Sequence, residues 1–174
     1  KPEATREVLD PDGWFHTGDI GEFDPDGFLK ITDRKKDLIV TAGGKNIAPQ
    51  PIEAMVKKSK YVANAVMLGD KRKFCIMLVV PQYEHLEPWA KKRNLGFKDR
   101  REMILLAEVR EKMEREVLEM LHELAKYEMP KKILLVENDF SVEAGDLTPT
   151  LKVNDKVGNP IDVLGDADPE RYVT

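Results

Sequence analysis

Cysteine is nearly absent from this chain, which has only Cys75 among its 174 residues. A single cysteine cannot form a disulfide within the chain, so the composition excludes a disulfide-stabilised secreted domain and favours a reducing compartment such as the cytosol. The sequence also lacks an apolar run of the roughly 18 to 20 residues that a membrane span requires. Its first residues show no apolar stretch typical of a secretion signal. These absences predict a cytoplasmic protein that meets its substrates from water.

A basic excess is missing as well, because 28 lysines and arginines are set against 32 acidic residues, for a net charge of −4. A nucleic-acid-binding surface would show a surplus of positive charge, so no nucleic acid partner is expected. The three histidines, His16, His85 and His122, are scattered without the acidic or cysteine spacing of a metal cluster, and no protein metal site is predicted. With 41% hydrophobic and 34% charged residues, the chain has the composition of a globular protein.

Two near-copies of one turn, residues 10–13 and 24–27, surround the first apolar segment. Both read Asp-Pro-Asp-Gly, in which aspartate and proline suit the early turn positions and glycine suits the end. The sequence between and after them predicts short strands, with Trp14 and Phe15 packing beneath the first. The charged run 33–37 has no apolar period, which predicts an exposed connection and a domain boundary.

The remainder predicts an α+β module, in which a small mixed or antiparallel sheet is packed by helices. A helix is expected over 49–59, an antiparallel hairpin over 62–68 and 74–81, and a final strand over 133–136. Between 100 and 126, apolar residues recur at three- and four-residue steps, which predicts one long amphipathic helix whose apolar stripe joins the core. The whole chain is thus expected to be this module preceded by a short β segment.

Two motifs carry residues suited to nucleotide chemistry, although each is weak by itself. In Thr17-Gly18-Asp19, a carboxylate could accept hydrogen bonds from the two hydroxyls of a ribose, but a lone aspartate here is more often part of a turn. The run 42–46, Ala-Gly-Gly-Lys-Asn, superficially looks like a phosphate-binding loop. It lacks the spacing and the Ser or Thr of a Walker motif, so that interpretation is rejected.

Taken in order, the segments 13–19, 33–37, 42–46 and 147–153 resemble adenylate-forming enzymes, a superfamily of acyl- and aryl-CoA synthetases, luciferases and peptide synthetase adenylation domains. Within it, the resemblance is nearest to the C-terminal domain of long-chain fatty-acid–CoA ligases. The resemblance implies a role for each matching residue. These are nucleotide binding by Asp19 and Arg34, a hinge at Lys36, CoA binding by Gly43, Gly44 and Lys45, and catalysis of adenylation by Lys152.

The resemblance also implies a domain organisation and a set of substrates. Residues 1–33 would be the β-hairpin tail of a large N-terminal adenylation domain, 34–37 a hinge, and 38–174 a C-terminal lid. ATP, with Mg²⁺ held mainly by that N-terminal domain, would react with a fatty acid to give an acyl-adenylate and pyrophosphate. CoA would then take the acyl group and release AMP. This chain alone is expected to be inactive, its own N-terminal domain being its partner, and peripheral association with a membrane is compatible with a lipid substrate.

Two alternatives stay open at this stage. One keeps the adenylation chemistry but replaces CoA with another acceptor, such as a carrier-protein phosphopantetheine or an amine. The other, from a different class, is a noncatalytic binding module whose glycine turn and helices dock a partner.

Overall fold

The computed structural model of the chain describes residues 2–140. These residues fall into two compact units that divide between Leu38 and Ile39. No helix among them is long and apolar enough to cross a membrane. The mixed architecture confirms the predicted α+β class. In chain order, the elements are α1 Pro2–Val8, β1 Asp19–Phe23, β2 Leu29–Arg34, β3 Ile39–Val40, β4 Asn46–Ile47, α2 Pro49–Val56, β5 Val62–Leu68, β6 Ile76–Pro81, α3 Tyr83–Lys92, α4 Arg100–Leu105, α5 Ala107–Met120 and β7 Lys132–Leu135.

The first unit is built around an antiparallel pair, β1 and β2, joined by the second Asp-Pro-Asp-Gly turn. The carboxylate of Asp24 accepts hydrogen bonds from the backbone N–H groups of Asp26 and Phe28, at 3.0 and 2.9 Å. Gly27 closes the turn at φ +85°, a conformation that side chains disfavour. The turn chemistry read from the sequence therefore fixes this hairpin.

Large apolar side chains of the first unit are exposed rather than buried. Trp14 is 73% exposed and Phe15 64%, so the prediction that both pack beneath a strand is wrong for the residues that the structure describes. The short strand pair has too little apolar surface of its own to cover them. The others exposed in this unit are Val8, Leu9, Phe23, Phe28, Leu29 and Ile31.

The charged run after the hairpin does not begin as an exposed connection. β2 continues through Arg34, and Asp33 is only 3% exposed, which contradicts the prediction that the connection starts at Asp33. Asp33 is held in β2 by strand pairing, because it lies opposite Ile20 in β1. The exposed turn follows at 35–37, closed by a 2.9 Å hydrogen bond from the Asp37 N–H to the Arg34 carbonyl.

The second unit has a three-stranded sheet in the order β5-β6-β7. β5 and β6 pair antiparallel, which confirms the predicted hairpin, and β7 adds parallel to β6. Because β6 is central, both of its faces are covered, and its side chains alternate between two apolar clusters. Met77 and Val79 join the larger cluster with α2, α3, α4 and α5, whereas Leu78 and Val80 join a smaller one with Phe140.

The segment predicted as one long helix is two helices and a series of turns. Leu106, with φ −64° and ψ 133°, is in extended conformation and separates α4 from α5, and α5 ends at Met120 instead of 126. The apolar stripe is nevertheless core, since Val109, Met113 and Val117 are fully buried. Periodicity located the buried face but could not detect one residue whose ψ angle interrupts the hydrogen-bond ladder.

A partly buried polar cluster joins α5 to the segment after α2. Ser59 donates to Oε2 of Glu116 at 3.0 Å, and the Lys112 ammonium pairs with Oε1 of the same carboxylate. The Lys112 Nζ also lies 4.2 Å from the centroid of the Tyr61 ring. Burial raises the pKa of Glu116, but the hydrogen bonds from Lys112 and Ser59 outweigh burial and hold that pKa below its usual value.

We expect Glu116→Gln to lower the free energy of unfolding by about 1–2 kcal/mol at pH 7, since it removes a charge-assisted hydrogen bond. A depressed folded-state pKa stabilises the protein above the unfolded pKa of about 4.3, and this contribution disappears as the pH falls through the folded pKa. Urea denaturation between pH 3 and 7 should therefore show the two proteins converging in acid. Glu114→Gln, an exposed change on the same helix, is the control. A difference that does not depend on pH would contradict this account.

Candidate functional site

The predicted nucleotide-binding pair is brought together at one end of the first hairpin. Asp19 opens β1 and Arg34 closes β2, and the two are directly opposite in the strand register. The Arg34 Nε lies 3.1 Å from Oδ1 of Asp19 in an ion pair, with the arginine side chain 62% exposed and the aspartate 27%. An ion pair this open to water stabilises a fold by less than about 1 kcal/mol, so its partners can exchange each other for a ligand.

A bulge in β1–β2 is what makes this pairing possible. The register shifts between Ile20 and Gly21. A regular continuation of the Gly21–Ile31 pairing would place Asp33, not Arg34, opposite Asp19, and two carboxylates would face each other. The extra residue in β2 is Thr32, whose hydroxyl donates to the carbonyl of Ile20 at 3.3 Å. The bulge thus aligns a cation with the aspartate.

The backbone around Asp19 is also fixed. Thr17 Oγ1 accepts a hydrogen bond from the Asp19 N–H at 3.0 Å. Gly18 has φ +76°, and its carbonyl accepts from the Lys35 N–H at 2.7 Å. The Thr-Gly-Asp motif therefore combines a side-chain cap, a conformation suited to glycine and a cross-strand bond that orient the aspartate.

Asp33 is a candidate that sequence reasoning missed. Its Oδ1 accepts from the Arg34 N–H at 2.7 Å, whereas its buried Oδ2 has no hydrogen-bond partner among the described residues. A buried carboxylate oxygen without a partner is costly and is often explained by a ligand or a water. In sequence, Asp33 was one of several charges in a polar run, and no local pattern distinguished it.

The predicted hinge residue, Lys36, lies in an exposed turn, as a hinge requires. Lys36 is exposed in the 35–37 turn, between Arg34 and Leu38. No helix or strand includes this turn, so a rotation here would break few hydrogen bonds. The predicted catalytic residue, Lys152, lies outside the described residues.

The glycine turn of the second unit connects β3 to β4. Thr41 stabilises it, because the Thr41 Oγ1 accepts from the Lys45 N–H at 3.1 Å and the Gly44 N–H donates to the Thr41 carbonyl at 2.8 Å. The two glycines differ: Gly44 has φ +73°, whereas a Cβ added at Gly43 would meet, among the described residues, only Thr41 Oγ1, at 3.9 Å. Gly44 is needed for the turn's shape, and no other part of residues 2–140 fills the space beside Gly43.

The β5–β6 loop is hydrogen-bonded to this glycine turn, a contact that the sequence did not indicate. The Lys71 N–H donates to the Val40 carbonyl and the Ala42 N–H donates to the Arg72 carbonyl, both at 2.8 Å. The Asp70 carboxylate accepts from the Val40 N–H at 3.1 Å. Two segments about 30 residues apart thereby become one structural element.

The lysine of the glycine turn also has a tertiary partner. The Lys45 Nζ lies 5.4 Å from the centroid of the Tyr127 ring, a cation–π contact. Tyr127 is 48% exposed and comes from the turns after α5. No sequence motif marked this tyrosine, because 82 positions separate the two residues (127 minus 45).

Comparison with known sequences finds a family for residues 36–38, at the end of the first unit, and for the first part of the second unit. Residues 36–95 match the model of the AMP-binding enzyme C-terminal domain. The long-chain-fatty-acid–CoA ligase FadD15 of Mycobacterium tuberculosis is 38% identical over 161 residues, which cover 89% of this chain and 26% of that protein. Long-chain-fatty-acid–CoA ligase 5 of Rattus norvegicus is 41% identical over 158 residues, covering 87% of this chain and 22% of its own length. The chain thus spans about a quarter of the curated relatives it matches.

Solved structures of adenylate-forming enzymes have the same fold as this chain. The adenylation domain of a carboxylate reductase from Mycobacterium chelonae superposes with a TM-score of 0.70 at 26% identity, over 99% of this chain and 25% of that one. The O-succinylbenzoate coenzyme A synthetase of Bacillus subtilis, in complex with AMP, superposes with a TM-score of 0.55 at 26% identity, over 88% of this chain and 25% of that one. The predicted membership of the adenylate-forming superfamily is confirmed, and the chain is related to the C-terminal quarter of long-chain fatty-acid–CoA ligases.

Proposed function

We propose that the whole protein to which this chain contributes is a fatty-acid–CoA ligase. It would join a carboxylate to the α-phosphate of ATP, release pyrophosphate, and then transfer the acyl group from the adenylate to the CoA thiol. Support comes from the likeness to long-chain ligases over most of the chain. The observation that carries the proposal is the alignment of Asp19 with Arg34 at the hairpin end, since it presents a carboxylate and a guanidinium together.

In this proposal, the Asp19 carboxylate accepts hydrogen bonds from the ribose hydroxyls of the nucleotide. The Arg34 guanidinium, released from Asp19, contacts the ribose or the phosphate. A weak exposed ion pair suits this role, because it holds both side chains near their working positions at little cost when the ligand replaces it. ATP would bring Mg²⁺, held mainly by an N-terminal domain.

We further propose that such an N-terminal domain covers the apolar side chains that the first unit exposes. Eight large apolar residues there are between 38% and 75% exposed, a high density for a segment of under forty residues. The matched relatives are about four times as long as the region they share with this chain, which supports a large additional domain. Residues 1–33 would then form its last strands, and 38–174 a separate lid.

The lid would turn about Lys36 between the two half-reactions. In the first orientation, Lys152 would enter the site and balance the negative charge that collects between the attacking carboxylate and the α-phosphate. In the second, Lys152 would leave, and Gly43, Gly44 and Lys45 would line the path of CoA. The exposure of Lys35 and Lys36, and the space that residues 2–140 leave beside Gly43, support this alternation. We assign the protein to the cytoplasm, with peripheral contact at the membranes that supply its fatty acid.

Two assays on the full-length protein test the proposal. With fatty acid, ATP and labelled pyrophosphate, exchange into ATP reports adenylation, and addition of CoA should then give acyl-CoA and AMP. Exchange without an acyl-CoA product would indicate an adenylate-forming enzyme that uses an acceptor other than CoA. Absence of exchange with every carboxylic acid tried, from short to long chains, would refute adenylation and favour a noncatalytic binding module.

A further inference from the structure

The β5–β6 loop, residues 69–75, places three consecutive cations beside the glycine turn. Lys71, Arg72 and Lys73 are all exposed, and Arg72 is bonded through its backbone to Ala42, the residue before Gly43. The acidic residue of this loop is Asp70, whose Oδ1 accepts from the Val40 N–H and whose Oδ2 lies 4.0 Å from the Lys71 ammonium. The loop therefore presents net positive charge next to the glycine turn.

The loop is held in one shape rather than loosely tethered. A Cβ added at Gly69 would lie 2.6 Å from the Cys75 Sγ and 2.9 Å from its Cα, so only glycine allows the two hairpin ends to come this close. Lys71 adopts φ +59°, which a non-glycine residue keeps only where its surroundings impose it. The Arg72 N–H closes the loop on the Gly69 carbonyl at 3.0 Å. Such preorganisation reduces the entropy lost when a ligand binds.

We propose that this basic loop binds the phosphate groups of CoA. The inference rests on the proposed function, in which the pantetheine arm passes the glycine turn. CoA carries a diphosphate and a 3′-phosphate at the end away from its thiol, and these need cations placed outside the passage. Lys71, Arg72 and Lys73 supply such cations on a loop bonded to the turn itself. They thereby select a phosphorylated thiol over a neutral one.

A neutralised loop in the full-length enzyme tests this assignment. We expect the combined change Lys71→Gln, Arg72→Gln and Lys73→Gln to raise the KM for CoA about tenfold, since three exposed contacts to phosphate are lost together. The KM for pantetheine, which has no phosphate, should stay the same. Dephospho-CoA, which lacks the 3′-phosphate alone, should show an intermediate effect. Added salt should weaken CoA binding to the wild type more than to the variant.

The matched control removes the same charge elsewhere in the second unit, by Lys57→Gln, Lys58→Gln and Lys91→Gln, at exposed positions. An equal rise in KM for CoA in the control, or the same rise for pantetheine in the loop variant, would overturn the assignment. Pyrophosphate exchange, which needs no CoA, shows whether the loop changes damage the enzyme generally, and a parallel tenfold loss of exchange would also overturn it.

Two other outcomes, binding of the loop to a lipid surface and failure of the proposed function, can be distinguished from CoA binding. Phe74 of the same loop is 45% exposed, and basic residues with an aromatic neighbour also suit an anionic membrane. Loss of sedimentation with phosphatidylserine vesicles, with an unchanged KM for CoA, would refute the CoA assignment in favour of a lipid surface. If the wild type adenylates a fatty acid but makes no acyl-CoA, the proposed function itself fails, whatever the loop variant does.

Discussion

Replacing Lys152 with alanine should lower the rate of adenylation on the order of 10²- to 10³-fold, the usual effect of removing one preorganised group that stabilises transition-state charge. Attack of a carboxylate on the α-phosphate brings two anions together and increases the negative charge on the phosphoryl oxygens. A lysine ammonium near both lowers the energy of the transition state more than that of the bound substrates. The fall should therefore appear in kcat for pyrophosphate exchange, with little change in the KM for ATP.

The second half-reaction separates this role from general damage. When acyl-adenylate is supplied, Lys152→Ala should still form acyl-CoA at close to the wild-type rate, because the proposed lid rotation has withdrawn the lysine by then. Lys91→Ala, an exposed lysine at the end of α3, is the control and should leave both steps unchanged. Equal losses in the two half-reactions, or full exchange activity in Lys152→Ala, would remove the lysine from its assigned role.

Substituting Gly43 with leucine should produce the opposite pattern, with thioester formation reduced on the order of 10²-fold and exchange largely retained. The expected loss of rate follows from obstructing a narrow ligand path, because a displacement of the reacting group by about 1 Å can slow a reaction about 10²-fold. A Cβ at this position meets no described atom closer than 3.9 Å, so the added side chain enters the space proposed for pantetheine without disturbing the turn. Gly43→Ala should give a smaller loss of the same kind.

The neighbouring glycine provides the contrast. Because Gly44 has φ +73°, Gly44→Ala should strain the turn by about 1 kcal/mol and lower the thermal stability of the protein. Gly43→Leu should leave the melting temperature close to that of the wild type. If Gly43→Leu destabilises the protein as much as Gly44→Ala does, or if it slows exchange as strongly as thioester formation, the glycine turn does not line a path for CoA.

Apart from Asp33, the identity of the candidate residues could be read from the sequence, but their arrangement could not. Asp19 and Arg34 were identified by motif order, yet their contact depends on a bulge at Ile20–Gly21 that no local pattern announces. The predicted long helix failed for a related reason. Its apolar period continues through Leu106, and a period reports which face is buried, whereas a single ψ angle decides where the hydrogen-bond ladder stops.

By itself, the sequence determined the α+β class, the hairpins and the set of chemically suitable side chains, because turn residues and apolar spacing act over a few positions. Tertiary structure alone decided that Asp33 is buried, that Tyr127 lies near Lys45, and that the β5–β6 loop is bonded to the glycine turn. Each of these features depends on residues that are distant from one another along the chain. Their interaction energy arises only when strands pair and helices cover the sheet, and the structural preferences of short sequence segments do not include it.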